Sequence, residues 1–166
     1  MARLIVAKHF WVFWLGLTLL ASAGMAQGRL DGYRAKFEQE TDPVRKARTM
    51  PKFGDALLDQ MGEQLQKAEV EAALNTLEEY RDAIVKSHAG LKASGINAEK
   101  KPSGFKQLEI HVRRGLSRLE DLILAVPLEQ REALEEIRKQ LEQVDRELLE
   151  MLFPRRPAKK ESKPKG

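Results

Sequence analysis

The stretch that decides the fold runs from Arg131 to Leu152 and reads REALEEIRKQLEQVDRELLEML. Leu134, Ile137, Leu141, Val144, Leu148 and Met151 recur there at alternating spacings of three and four, the period of one helix face. Glu135 with Lys139, and Glu142 with Arg146, stand at the i,i+4 spacing and in the order that supports an exposed helix surface. So regular a seam needs a partner helix. Just before it, Pro127 ends another periodic stretch: Phe105, Leu108, Val112, Gly115, Leu119, Leu122 and Val126. The short link makes that helix the expected antiparallel neighbour. Ile110, Leu116 and Ile123 widen its stripe, so it is expected to be the most buried helix. Gly115 inside the stripe is about 1 kcal/mol poorer than alanine in a helix, which points to a close helix–helix contact.

The same period extends towards the N-terminus. Val70, Ala73, Leu74, Leu77, Ile84, His88 and Leu91 share one face of a helix that closes at Ser94-Gly95, where glycine suits the left-handed residue after a helix. A charged loop over 96–103 follows, with Pro102 near its end and Ser103 as an expected cap. Thr41-Asp42-Pro43 reads as a helix start, with Asp42 able to accept from orphan N–H groups and Pro43 suited to the first position. Val44, Ala47, Leu57, Leu58, Met61 and Leu65 continue that helix, and Pro51 and Gly54 predict a kink or break near Met50. Leu30, Tyr33 and Phe37 mark a short first helix. No segment alternates as a strand does. The expected fold is all-α: an antiparallel helical bundle of about four main helices in two hairpins, with the short N-terminal helix packed across it.

The hairpin of the second and third helices carries a faint resemblance to a tetratricopeptide repeat, with Ala73 and Leu77 on the small and large positions of that family's second helix and Leu57 on the aromatic position of its first. Met61, Gln64 and Tyr80 depart from it where the family has glycine, tyrosine and alanine. No second copy follows at the family's period of about 34 residues, so no peptide groove is carried over.

Residues 1–26 have the parts of an export signal. Arg3 and Lys8 precede an apolar run from Phe10 to Leu20, and small residues follow as Ala21-Ser22-Ala23 and Gly24-Met25-Ala26. Cleavage is expected after Ala23 or Ala26. The alternative is a retained membrane anchor, for which the run from Phe10 to Ala26 is at the short edge of the roughly 17–25 residues needed. Either way the body is expected outside the cytoplasm, periplasmic or extracellular. The three expected regions are thus a signal peptide over 1–26, a helical domain over 27–152 and a disordered tail over 153–166.

The chain has no cysteine, which excludes disulfides, thiolate metal sites, cysteine nucleophiles and a lipoprotein anchor. It also lacks an Asn-x-Ser/Thr acceptor. A bacterial envelope protein fits both absences. The net charge of +4 conceals a division. Residues 27–152 hold 21 cations against 24 anions, whereas the tail holds six cations and the single anion Glu161. Basicity therefore belongs to a tail, not to a nucleic-acid-binding face, and no nucleic-acid partner is expected.

Catalytic patterns are missing. No His-Glu-x-x-His run, nucleophile elbow or phosphate loop occurs, so neither metal nor cofactor is expected. Glu109 and His111 are two apart and point in different directions on a helix. His88, one turn beyond Ile84 on the apolar stripe, reads as a core or boundary histidine. Glu78, Glu79 and Asp82 read as part of a solvated face. Two basic clusters are candidate binding features. Lys106, Arg113, Arg114 and Arg118 form a candidate anion-binding patch, with a solvated face balanced by Glu109, Glu120 and Asp121 as the competing reading. Arg155, Arg156, Lys159, Lys160, Lys163 and Lys165 form a candidate tether to anionic lipid or envelope polymer, with a solubilising tail as the alternative. The expected function is a non-enzymatic, exported interaction or scaffold protein that binds a protein partner or self-associates through its helices. The alternative is a periplasmic chaperone-like or stress-response client binder.

Overall fold

A computed structural model describes residues 28–124 and 126–154. The expected signal segment and the six tail cations from Arg155 to Lys165 lie outside these residues. Among the described residues there are helices and no strand. They are α1 (28–39), α2 (Pro43–Gln66), α3 (Val70–Ala93), α4 (Ser103–Leu124), a 3₁₀ turn (Leu128–Gln130) and α5 (Arg131–Leu152).

Local chemistry sets most of the helix ends. Asp42 caps α2 by accepting from the Arg45 N–H at 2.7 Å, and Pro43 opens the first turn as expected. Gly95 follows α3 with φ +65°, the conformation for which glycine was expected there. The end of α2 is different. Ala68 takes φ 58°, and the Glu69 N–H donates to the Gln64 carbonyl at 2.9 Å across the turn. An alanine in this left-handed position costs about 1–2 kcal/mol, so the turn gives no glycine signal in the sequence. Ser103 is the first residue of α4 rather than its cap, with the Lys106 N–H donating to the Pro102 carbonyl.

The expected break in α2 does not occur: the helix runs unbroken from Pro43 to Gln66 through Pro51. Pro51 removes one backbone donor and costs about 3 kcal/mol in a helix interior. Met50, Phe53, Gly54 and Leu57 are all buried around it, and that packing holds the helix together. Burying one large apolar side chain contributes about 1.5–3 kcal/mol, so two such residues outweigh the proline.

The two hairpins, α2–α3 and α4–α5, are each antiparallel as expected, but they dock with like-directed helices side by side. Gly104 lies against Val44, His111 against Gly54, and Arg118 beside Asp59, so α2 and α4 run parallel. Val70 and Leu74 share a groove with Leu134, while Lys92 pairs with Glu147, so α3 and α5 also run parallel. The order around the bundle is therefore α2, α3, α5, α4, and the loop after α3 crosses a diagonal. α1 lies over α2 and α3. Its Phe37 ring is 5.2 Å from that of Phe53, and Arg34 forks onto Glu79 at 2.6 and 2.9 Å.

The α5 seam is consumed inside the chain: Leu134, Ile137, Leu141, Val144, Leu148 and Leu152 are buried. α3 is buried as extensively as α4, because Thr76, Tyr80, Ala83 and Ser87 join its apolar stripe. The expected i,i+4 pairs on α5 give way to a different arrangement. Arg138 gathers Glu135, Glu142 and, across the hairpin, Glu120, while Lys139 turns to Glu136 and Arg146 to Gln143. A guanidinium offers several donors in a fixed fork and serves three carboxylates at once.

Candidate functional site

Two places stand out, one closed and one open. The closed one lies where α2, α3 and α4 meet. Gly115 presents bare backbone to the Tyr80 hydroxyl, and a Cβ there would collide with it. Gly54 does the same for the His111 ring. The two rings meet edge to face with centroids 5.7 Å apart. The close contact expected at Gly115 is thus present, and its occupant is a tyrosine. Among the described residues neither the Tyr80 hydroxyl nor His111 Nε2 has a hydrogen-bond partner. Burial pushes the Tyr80 hydroxyl well above its ordinary value, with Asp55 adding to this and Arg118 opposing it. Burial likewise holds His111 below the ordinary imidazole value, against the pull of Asp55 and reinforced by Arg114. His111 Nδ1 stands 3.6 Å from Asp55 Oδ1, too far for a hydrogen bond. The centre holds a neutral histidine sealed from solvent.

A second buried histidine lies between α3 and α5. His88 is 7% exposed, and its Nε2 stands 3.5 Å from Glu147. Burial lowers its pKa, with Glu147 opposing and Lys92 reinforcing. It is a core histidine on the apolar stripe, as its spacing indicates. Among the described residues no group of His, Cys, Asp or Glu is arranged to hold a metal ion.

The four basic residues singled out on α4 have separate surroundings. Arg118 donates to the Leu58 carbonyl at 3.1 Å and pairs with Asp59 at 2.8 Å, tying α4 to α2. Arg113 lies 3.5 Å from Glu109, a buried carboxylate, and also acts on Asp145 of α5. Burial raises the Asp145 pKa, and Arg113 and Arg146 oppose that. Lys106 and Arg114 are exposed. Of the four, Arg118 ties α4 to α2, whereas Arg113 is itself 64% exposed and pairs within α4, so three of the four face solvent.

The open place lies where α3 and α5 begin. Val70, Leu74, Ala133 and Leu134 are the apolar residues lining a groove of about 650 Å³, with Leu134 itself buried and Ala133 exposed. Glu71, Glu129, Glu132, Glu135 and Glu136 line its sides, with Lys139 the lone cation. Glu135 and Glu136 are engaged by Arg138 and Lys139, whereas among the described residues no ion pair involves Glu71, Glu129 or Glu132. Leu124 and Leu128, in the adjoining turn, are 70% and 74% exposed. Sequence reading missed this groove, because its parts lie some 60 residues apart on two helices whose parallel docking no local pattern encodes. The available signal was the glutamate cluster from Glu129 to Glu136 beside Leu128.

The fold defines an all-helical bundle protein. No protein-family model, curated protein or solved structure matches the chain. Among the described residues no helix is long and apolar enough to cross a membrane.

Proposed function

We propose that this is an exported, non-enzymatic interaction protein that docks a cationic polypeptide segment bearing an apolar side chain. The observation that carries the reading is the groove at the start of α3 and α5, lined by four apolar residues and five glutamates. Apolar surface in such a groove rewards burial of a side chain, and three glutamates outside any ion pair favour flanking cations. Export is supported by the charged, apolar and small-residue segments of residues 1–26. A non-enzymatic role is supported by the chemistry of the centre: His111 and Tyr80 are sealed among helices and do not line the groove.

The test is fluorescence anisotropy with a labelled peptide of alternating leucine and lysine pairs, set against oligolysine of equal charge. The leucine-bearing peptide is expected to bind more tightly, to lose affinity with salt and to lose it again on Glu129→Lys with Glu132→Lys. Equal binding by the wild type and the double variant would remove the groove from the proposal.

A further inference from the structure

Resting on the docking reading above, we infer that the occupant of the groove is the C-terminal segment of a second copy of this chain, entered by Phe153 and followed by Arg155 and Arg156. Charge complementarity comes first. Residues 153–166 carry six cations and one anion, and the groove carries five glutamates and one lysine. Apolar complementarity is the second argument. Phe153 directly follows the buried Leu152 yet is 71% exposed, a large aromatic left in water beside the basic run.

Distance then decides between the chain's own tail and that of a second copy. The groove lies at the start of α5 and Phe153 at its end, with the Phe153 N–H still donating to the Leu149 carbonyl at 2.8 Å. At about 1.5 Å per residue, roughly 28 Å of helix separates Phe153 from Leu134. Phe153 cannot fold back onto its own groove. Extended chain at about 3.3 Å per residue would need roughly nine residues to return that far, which carries it well past Phe153, Arg155 and Arg156. Over 154–166 the sequence offers cations and no large apolar side chain. A second copy has no such restraint. Laid antiparallel, each α5 end meets the other's α5 start, so one two-fold axis produces two equivalent contacts. Contacts governed by exposed charge weaken as salt rises.

Sedimentation velocity on the full chain, expressed with its own N-terminus, reads this directly. The wild type is expected to form a dimer at low salt that dissociates as salt is raised. Phe153→Ser, or Glu129→Lys with Glu132→Lys, is expected to weaken the dimer by about tenfold or more, a loss of about 1.4 kcal/mol. Circular dichroism confirms that each variant remains helical. Combining the groove reversal with Arg155→Glu and Arg156→Glu is expected to restore association. A monomer at every concentration and salt, or a dimer indifferent to these changes, overturns the inference. The leucine–lysine peptide separates the two failures. Peptide binding by a monomeric chain leaves the groove a docking site for another cationic segment, whereas failure of both experiments removes the docking reading as well.

Discussion

The centre of the bundle and its α3–α5 end handle polar chemistry in opposite ways. At the centre, Tyr80 and His111 are enclosed against glycine backbone with polar atoms unpartnered. At the end, glutamates and partly exposed apolar side chains line a groove that is open to solvent. The contrast separates a region that bears on stability from the one proposed for recognition. A buried hydroxyl without a partner costs about 1–3 kcal/mol, so the centre is held by shape, and any change of shape there is costly. At the end, exposed carboxylates contribute little to folding, and a change there alters what the surface attracts.

The largest expected effect tests the shape argument. Gly115→Ala adds a methyl group that meets the Tyr80 hydroxyl, and the ring, almost fully buried, has little room to yield. Overpacking of this kind costs typically 1–3 kcal/mol and outweighs the gain of about 1 kcal/mol in helix propensity at its upper end. The urea midpoint should fall. Tyr80→Phe removes the colliding oxygen together with an unpartnered buried hydroxyl, so it should be close to neutral alone and should recover part of the loss in the double variant. An additive pair, with no recovery, would mean that the two positions do not touch in solution.

A smaller effect should come from pH. The folded pKa values of His111 and His88 lie below the ordinary imidazole value, mainly through burial. Below about pH 6.5 the unfolded chain therefore binds protons that the folded chain does not. Stability rises with pH wherever the unfolded state holds more protons, so it should decline as pH falls from about 6.5 towards the folded values. His111→Gln should flatten that decline more than His88→Gln, because His111 is the more deeply enclosed. A stability profile level between pH 7 and 5 in the wild type would contradict a neutral, sealed His111.

Much of the fold was legible, for a physical reason. Helix faces are local patterns: the α5 seam, the Asp42-Pro43 start and the Gly95 stop each follow from a few adjacent residues. Gly115 was legible too, since a glycine in an apolar stripe implies close approach. Other features depended on packing between helices. Pro51 indicated a break because propensity knows nothing of the buried Met50 and Phe53 that hold α2 continuous. Tyr80 stands three residues beyond Leu77 yet is absent from the expected apolar stripe, because its burial depends on the bare backbone of Gly115 on another helix. Ala68 closes α2 in a conformation that alanine does not advertise. The parallel docking of the hairpins has no local signature, and the groove depends on it.

The smallest expected effect on stability is also the one that separates the two regions. Glu132→Lys alters an exposed residue for which no ion pair is present, so the urea midpoint should stay within about 0.5 kcal/mol of the wild type. Its neighbour Arg138 already holds Glu135, Glu142 and Glu120, and a new lysine one and a half turns earlier breaks none of those pairs. Capture of a cationic peptide by the groove should nevertheless weaken and lose part of its salt dependence, because one charge of five has changed sign. A marked loss of stability would mean that this glutamate is part of what holds α3 to α5. The division between a shape-held centre and a charge-lined end would then fail at its open side.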